Sequence, residues 1–201
     1  VHATAPTEIF TRTFPRCGVH EPFGDWATYA DFVQVLEETG SIAEATQLWW
    51  SVRPHHSFGT VEVRICDAQT RGDESFNLAA LIAACATQAA LEYDELGYAG
   101  GGTLLRGREI EENLWRAIRH GMDAEMIDFR DRRTTPARDV LEELIEWTEP
   151  ARRRLGVEVQ LPEENGAQRA HRALAERASI EEIYRHAVEE TKRTYAPEGV
   201  A

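Results

Sequence analysis

The sharpest alternation of apolar and polar positions in the chain runs from Thr60 to Cys66. Val61, Val63 and Ile65 fall on one side of an extended backbone and Thr60, Glu62, Arg64 and Cys66 on the other, because successive strand side chains point to opposite faces. The stretch that precedes it, from Gln47, is β-rich too, and the residues between open on Pro54 and close on Gly59. A proline and a glycine in a short loop between two such runs predict an antiparallel hairpin over residues 47–67. A further β-leaning run at residues 8–16, with Ile9, Phe10, Thr11 and Thr13, predicts a strand that Pro15 and Gly18 turn into a loop.

Elsewhere the period becomes helical. Asp25 stands as an N-cap, and Trp26, Tyr29, Val33 and Leu36 recur at helical spacing until Gly40. Residues 75–96 are rich in alanine and leucine with apolar residues on most sides, which predicts a largely buried helix ended by Gly97, Gly100, Gly101 and Gly102. Ile110, Leu114 and Ile118 form one stripe of a helix over 108–120, closed by Gly121. Thr135 and Pro136 read as N-cap and first residue of a helix carrying Val140, Leu141, Leu144 and Ile145. Ser179 and Glu182 make a capping box for the last helix, which turns Ile183, Ala187 and Val188 inward. No repeat or low-complexity tract interrupts the order. A β-rich first third followed by helices predicts an α+β architecture, an antiparallel curved sheet segment with helices packed on its outer face.

Composition changes this picture little. The 201 residues suffice for one large domain or part of a bigger one, and 42% apolar with 28% charged residues is ordinary for a globular protein. The formal charge of -13, from 35 acidic against 22 basic side chains, repels a phosphate backbone over most of the surface and speaks against nucleic-acid binding. Two basic clusters, Arg130, Arg132, Arg133 and Arg152, Arg153, Arg154, sit among acidic neighbours without interleaved aromatics and read as solvated faces. Cys17, Cys66 and Cys85 are odd in number and widely spaced, the pattern of reduced thiols used as small core residues. The longest apolar run, residues 78–91, is shorter than the ~20 residues of a bilayer span, and no signal peptide opens the chain, so a cytoplasmic location without membrane partner is expected. The sequence opens on Val1 rather than methionine, as a processed, trimmed or fragmentary one would.

Glu62 and Arg64 carry the most suggestive chemistry. Two residues apart on one strand face, their Cα atoms stand about 6.8 Å apart and both side chains enter the same space. In a cleft, a carboxylate for a divalent cation beside a guanidinium for phosphate oxygens is what phosphoryl transfer needs. Arg53, just before the loop, offers a second planar fork for phosphate or carboxylate. By alternation alone the commoner reading is an antiparallel strand wetted on its polar side. His55 and His56 are adjacent on an extended backbone and point apart, which disfavours a shared metal, and His20, His120, His171 and His186 show no ligand-like spacing. Trp49 and Trp50 also point to opposite faces, with core packing their default role.

The run WWSVRP, a short loop and then TVEVRICDA before a helix resembles the W-x-V-R-P and T-x-E-x-R-x-C-D-A segments of the type 2 glutamate-cysteine ligase family of carboxylate-amine ligases. FTRTFPRCG ahead of DWATYADFVQVLEETGSI, and ENLWRAIRHGMDAEMID after the hairpin, agree in order with the C-terminal half of that family. The resemblance covers most of the chain and is densest over residues 10–128. Residues 1–201 would then be the C-terminal part of a single carboxylate-amine ligase catalytic domain with a partial glutamine synthetase-like fold.

What the resemblance implies is an ATP- and Mg2+-dependent ligase that makes an amide through an acyl phosphate, with small amino acids, glutamate and cysteine, as substrates. Glu62 would be a magnesium ligand, and Arg64 and Arg53 would bind the nucleotide phosphates or the acyl phosphate. Asn113, Arg116 and Arg119 match a family segment as well and are equally open to surface or capping roles. The chain departs from the family in two places: strands bearing paired glutamates and a histidine do not precede Val1, and AQRAHR has Ala170 where the family tends to carry glutamine. The alternative is therefore a non-catalytic ligase-like binding or regulatory module, or one chain of a split enzyme. Oligomeric state is left open, a homo-oligomer included.

Overall fold

The computed structural model describes residues 13–55, 57–97 and 105–196. Within them the chain is α+β, with seven α-helices and three two-stranded sheets. Strand β1 (Cys17–Gly18) leads to helix α1 (Trp26–Glu38), after which a 3-10 turn at Ala45–Gln47 delivers β2 (Trp49–Trp50), parallel to β1. Next come β3 (Val52–His55) and β4 (Thr60–Val63), the expected antiparallel hairpin, with Arg53 opposite Glu62 and His55 opposite Thr60. Ser51, at the bend between β2 and β3, joins the two sheets: its N–H donates to the Gly18 carbonyl at 2.8 Å and its carbonyl accepts from Arg64 N–H at 2.7 Å.

Most of the strand expected at 8–16 lies outside the described residues. Its described end is a turn, in which Arg16 takes a positive φ of 59°, and the extended segment begins only at Cys17. Helix α1 begins as its cap requires, with the Asp25 carboxylate accepting the Thr28 N–H at 2.7 Å. Its inner face, Tyr29 and Val33, packs with Ile42, Leu48 and Trp50 into the buried cluster of this half, with Phe23 and Leu36 against it. Phe23 lies 5.4 Å from Tyr29 and 5.6 Å from Trp50 between ring centroids. Trp50 belongs to this cluster, whereas Trp49 is only half-buried.

Helix α2 (Gly72–Leu96) starts earlier than its apolar run and is far less buried than expected. Only Ala80, Ala84 and Gln88 are enclosed, an i, i+4, i+8 stripe. It is also the one helix among the described residues that is long and apolar enough, by length and composition, to cross a bilayer. Here it packs along α5 (Glu149–Leu155), where Ala84 and Ala151 both reach 0% exposure, small residues permitting close approach of the two helices. Helix α3 (Gly107–His120) closes at Gly121 with φ 61° as expected.

A second hairpin, β5 (Glu125–Asp128) and β6 (Arg133–Pro136), was not foreseen. Thr135 is not a helix cap: it pairs with Met126 inside β6, and Pro136 precedes α4 (Ala137–Trp147). The first basic cluster lies in and beside the hairpin turn, where Arg132 adopts φ 56° and Arg133 faces Asp128 at 3.6 Å. Helix α6 (Gly166–Ala175) and helix α7 (Ile180–Tyr195) complete the chain. The Ser179–Glu182 capping box is present, but Ile183, Ala187 and Val188 are half-buried rather than enclosed. Helix α7 is tied to the start of α2, Thr194 Oγ1 accepting Gly72 N–H at 2.9 Å and Tyr195 hydroxyl meeting Ser75 Oγ at 2.6 Å.

Candidate functional site

The structure brings together all three residues expected to form the site. Cross-strand pairing sets Arg53 opposite Glu62, and both its Nε and its Nη2 donate to Glu62 Oε2, at 2.8 and 2.7 Å. Glu62 Oε1 faces Arg64 Nε at 3.5 Å. One carboxylate thus lies between two guanidiniums, leaving the cluster with a net positive charge. The arrangement is graded in depth: the Arg53 side chain is 12% exposed, that of Arg64 29% and that of Glu62 39%.

Arg53 is fixed from behind as well as across the hairpin. Its Nη1 donates to the carbonyls of Thr46 and of Leu48, the latter at 3.0 Å, and Leu48 is 1% exposed. The buried cluster and the 3-10 turn therefore dictate where the guanidinium sits. Burial pushes the Tyr29 hydroxyl above its ordinary pKa, and the Arg53 charge opposes that shift in lesser measure. Cys17 answers to Arg64 in the same way: burial raises its thiol pKa, and Arg64 and then Arg16 lower it by less. Cys17, Cys66 and Cys85 are free thiols, half-buried rather than core residues.

Glu62 fits a divalent cation as a single ligand. Its Oε1 carries only the long Arg64 contact, so one oxygen can turn to a cation, and magnesium commonly takes one or two carboxylates with phosphate oxygens completing its shell. Among the described residues no group of three histidine, cysteine, aspartate or glutamate side chains is placed to hold a metal.

Other expected residues are spent on the scaffold. Asn113 clamps β5, its Nδ2 donating to the Ile127 carbonyl at 2.9 Å and its Oδ1 accepting the Ile127 N–H at 2.8 Å. Arg116 donates to the Glu125 carbonyl at 2.9 Å and pairs with Glu112. In the AQRAHR segment Arg169 grips both oxygens of Glu74, at 2.6 and 2.9 Å, and so fastens α6 to the first turn of α2. A cleft of about 500 Å3 opens beside that pair, lined by Leu78, Leu81, Leu141 and Leu161 below and Arg71, Glu74 and Arg169 at the rim. It shares no residue with the Arg53–Glu62–Arg64 cluster, and its rim charges already pair with one another. The cluster on the hairpin, not this cleft, carries unsatisfied positive charge.

The sequence weighs His55 only against His56, whereas the structure sets it on the face of Arg53. It shares a face with Arg53 by strand alternation, its ring stacks on Phe58 at 4.4 Å, and its Nδ1 is buried with no hydrogen-bond partner among the described residues. The i, i+2 spacing to Arg53 is the sequence signal for that shared face; His56 lies outside the described residues.

A positively charged cluster on an α+β scaffold has the charge and the planar donors to attract anions such as phosphate or carboxylate. The family model of glutamate-cysteine ligase family 2 matches residues 7–192, and the chain belongs to that family. It is 41% identical over 156 residues to a Sorangium cellulosum protein named "Putative glutamate--cysteine ligase 2", covering 77% of this chain and 40% of that one. Similarity to the Rubrobacter xylanophilus protein "Putative glutamate--cysteine ligase 2-3" is 38% over 184 residues, 88% of this chain and 48% of that one. A Roseiflexus castenholzii relative with the same name as the first is 37% identical over 166 residues, 81% and 43% of the two chains. The chain thus spans less than half the length of each of these relatives.

Proposed function

We propose that this chain supplies one wall of the active site of an ATP- and magnesium-dependent carboxylate-amine ligase, joining the γ-carboxyl of glutamate to the amine of cysteine. The observation that carries the reading is the Arg53–Glu62–Arg64 cluster, anchored on buried structure and net positive in charge, in a chain of the ligase family. In the reaction the γ-phosphoryl group of ATP passes to the carboxylate, ADP leaves, and the amine attacks the acyl carbon. Phosphate departs with the acyl C–O bond as the C–N bond forms and the amine loses its proton.

Arg53 and Arg64 would hold phosphoryl or carboxylate oxygens through this sequence. A guanidinium already fixed by backbone carbonyls stabilises developing charge without reorganising at the moment of transfer. Glu62 does two things in this scheme: it orients both arginines and offers Oε1 to the cation. Magnesium, when bound, would offset negative charge on the nucleotide phosphates.

The test is ADP release by the full-length gene product against a panel of amino-acid pairs with ATP and Mg2+. Release that requires glutamate and cysteine together supports the reading. Release equal with and without an amine, or none with any pair, sinks it.

A further inference from the structure

We propose that His55 is a further ligand-binding residue of this site, donating its Nε2–H to an anionic oxygen, phosphoryl or carboxylate, held on the face that carries Arg53, Glu62 and Arg64. The proposal rests on the ligase reading for the identity of that anion, but its physical basis is separate. In β3, His55 lies two residues beyond Arg53 and opposite Thr60, while Arg53 lies opposite Glu62. Residues at i and i+2 share a strand face, about 7 Å apart. His55 therefore borders the charged cluster.

Its ring is held in place. It stacks on Phe58 with centroids 4.4 Å apart and planes at 25°, and the Phe58 N–H donates to the His55 carbonyl at 3.3 Å. Its Nδ1 is enclosed with no partner among the described residues. A neutral imidazole must carry its proton on one nitrogen or the other. On Nδ1 it would be a buried N–H without acceptor, a group that folded proteins rarely tolerate. In the neutral ring the proton therefore sits on Nε2, which makes no hydrogen bond within the described protein, and the ring presents an N–H donor on the face of Arg53, two residues away.

This role separates His55 from a merely structural stacking partner of Phe58. In glutamine the amide nitrogen occupies the place of Nε2, whereas in asparagine it falls near Nδ1, so the two variants distinguish the two nitrogens. The full chain would be assayed for ADP release as wild type, His55→Gln and His55→Asn, with thermal melts to show that each folds. We expect His55→Gln to stay within about threefold of wild type, and His55→Asn to raise the KM of one substrate about tenfold or more, the usual cost of a hydrogen bond to a charged group. A rise in the KM of ATP assigns the oxygen to a phosphoryl group, and a rise in that of glutamate to a carboxylate. Equal impairment of both variants, or wild-type KM in both, overturns the proposal.

A second measurement stands apart from the ligase reading. Histidine-labelled full chain would give the His55 tautomer from its 15N shifts, with His55→Gln identifying the signal. An Nε2–H tautomer whose shift moves on adding inorganic phosphate or glutamate supports the proposal even if no ligation is found. An Nδ1–H tautomer, or a signal indifferent to both anions, overturns it even if ligation is robust.

Discussion

Two hairpins of equal length, β3–β4 and β5–β6, are built in opposite ways. In β5–β6 the polar groups serve the scaffold: Asn113 and Arg116 of α3 bind backbone groups of β5, Asp128 Oδ1 caps the turn, and α4 follows directly from β6. In β3–β4 the charged side chains bind mainly one another, with Arg53 alone tied to backbone behind. The apolar faces differ as well. On β5 both Met126 and Ile127 are half-buried, whereas on the apolar face of β3–β4 Val52 and Val61 stand exposed and Val63 is half-buried. A hairpin whose charges are satisfied by helices is a strut; one whose charges cluster on an open face has interaction capacity left for a ligand.

The largest expected effect follows from removing the carboxylate between the two arginines. Glu62→Gln should lower ADP release by about 100-fold or more, the scale of losing a preorganised charged group from a phosphoryl-transfer site. The fold should survive. Arg53 keeps its carbonyl partners at Thr46 and Leu48, and a pair whose acid is more than a third exposed contributes about 1 kcal/mol or less, so the melting temperature should fall by no more than about 4 °C. Unchanged turnover would remove Glu62 from the site; a collapse of the melting transition would make the cluster a strut like its counterpart.

The contrast between the hairpins also explains what the sequence made legible. Alternation between Thr60 and Cys66 announced the β3–β4 hairpin and the clustering of Glu62 and Arg64, and Gly59 marked the turn; Pro54, expected in the loop, lies in β3 opposite Val61. The β5–β6 hairpin had neither sign: its turn contains no glycine, Arg132 taking the positive φ instead, and Thr135–Pro136 imitates the start of a helix. The clamp from Asn113 joins residues 14 apart, across elements whose relation no local pattern encodes. Burial of α2 was overestimated for a related reason. Alanine is small enough for a helix interface but does not say how many sides have a neighbour, and only the Ala80–Ala84–Gln88 stripe has close cover. His55 was undervalued because a buried nitrogen without a partner is a fact of three-dimensional surroundings alone.

Next in size is the strut itself. Asn113→Ala removes two hydrogen bonds to Ile127 and leaves its N–H and carbonyl without them. At roughly 0.5–1.5 kcal/mol for each, the loss should be about 1–3 kcal/mol in urea unfolding. Substrate KM values should stay at wild type, since this hairpin has no part in the anion site. A change in KM without a change in stability would reverse the roles assigned to the two hairpins.

Acid probes the same strut more gently. The Asp128 carboxyl is held below the ordinary aspartate pKa, chiefly by the Asp131 N–H, then by the Arg130 N–H and the nearby charge of Arg133. A depressed folded-state pKa gives stabilisation that is present above the unfolded value and is lost as pH falls through the folded one. Asp128→Asn should therefore be less stable than wild type at neutral pH, and the gap should close on acidification below about pH 4. A gap that stays constant with pH would mean that the charge on Asp128 contributes nothing to the turn.

The smallest effect concerns the exposed valines of the charged hairpin. Val61 is 60% exposed and Val52 43%, so neither contributes much burial to stability within the described residues. Threonine has the β-branched shape and strand preference of valine, and at a surface position the exchange should change stability by less than about 0.5 kcal/mol. Val61→Thr in the full chain, measured by urea unfolding, therefore asks whether that apolar face stays open. A loss of about 2 kcal/mol would mean that other parts of the protein cover it. The two hairpins would then share an apolar anchor and differ only in how their charged residues are paired.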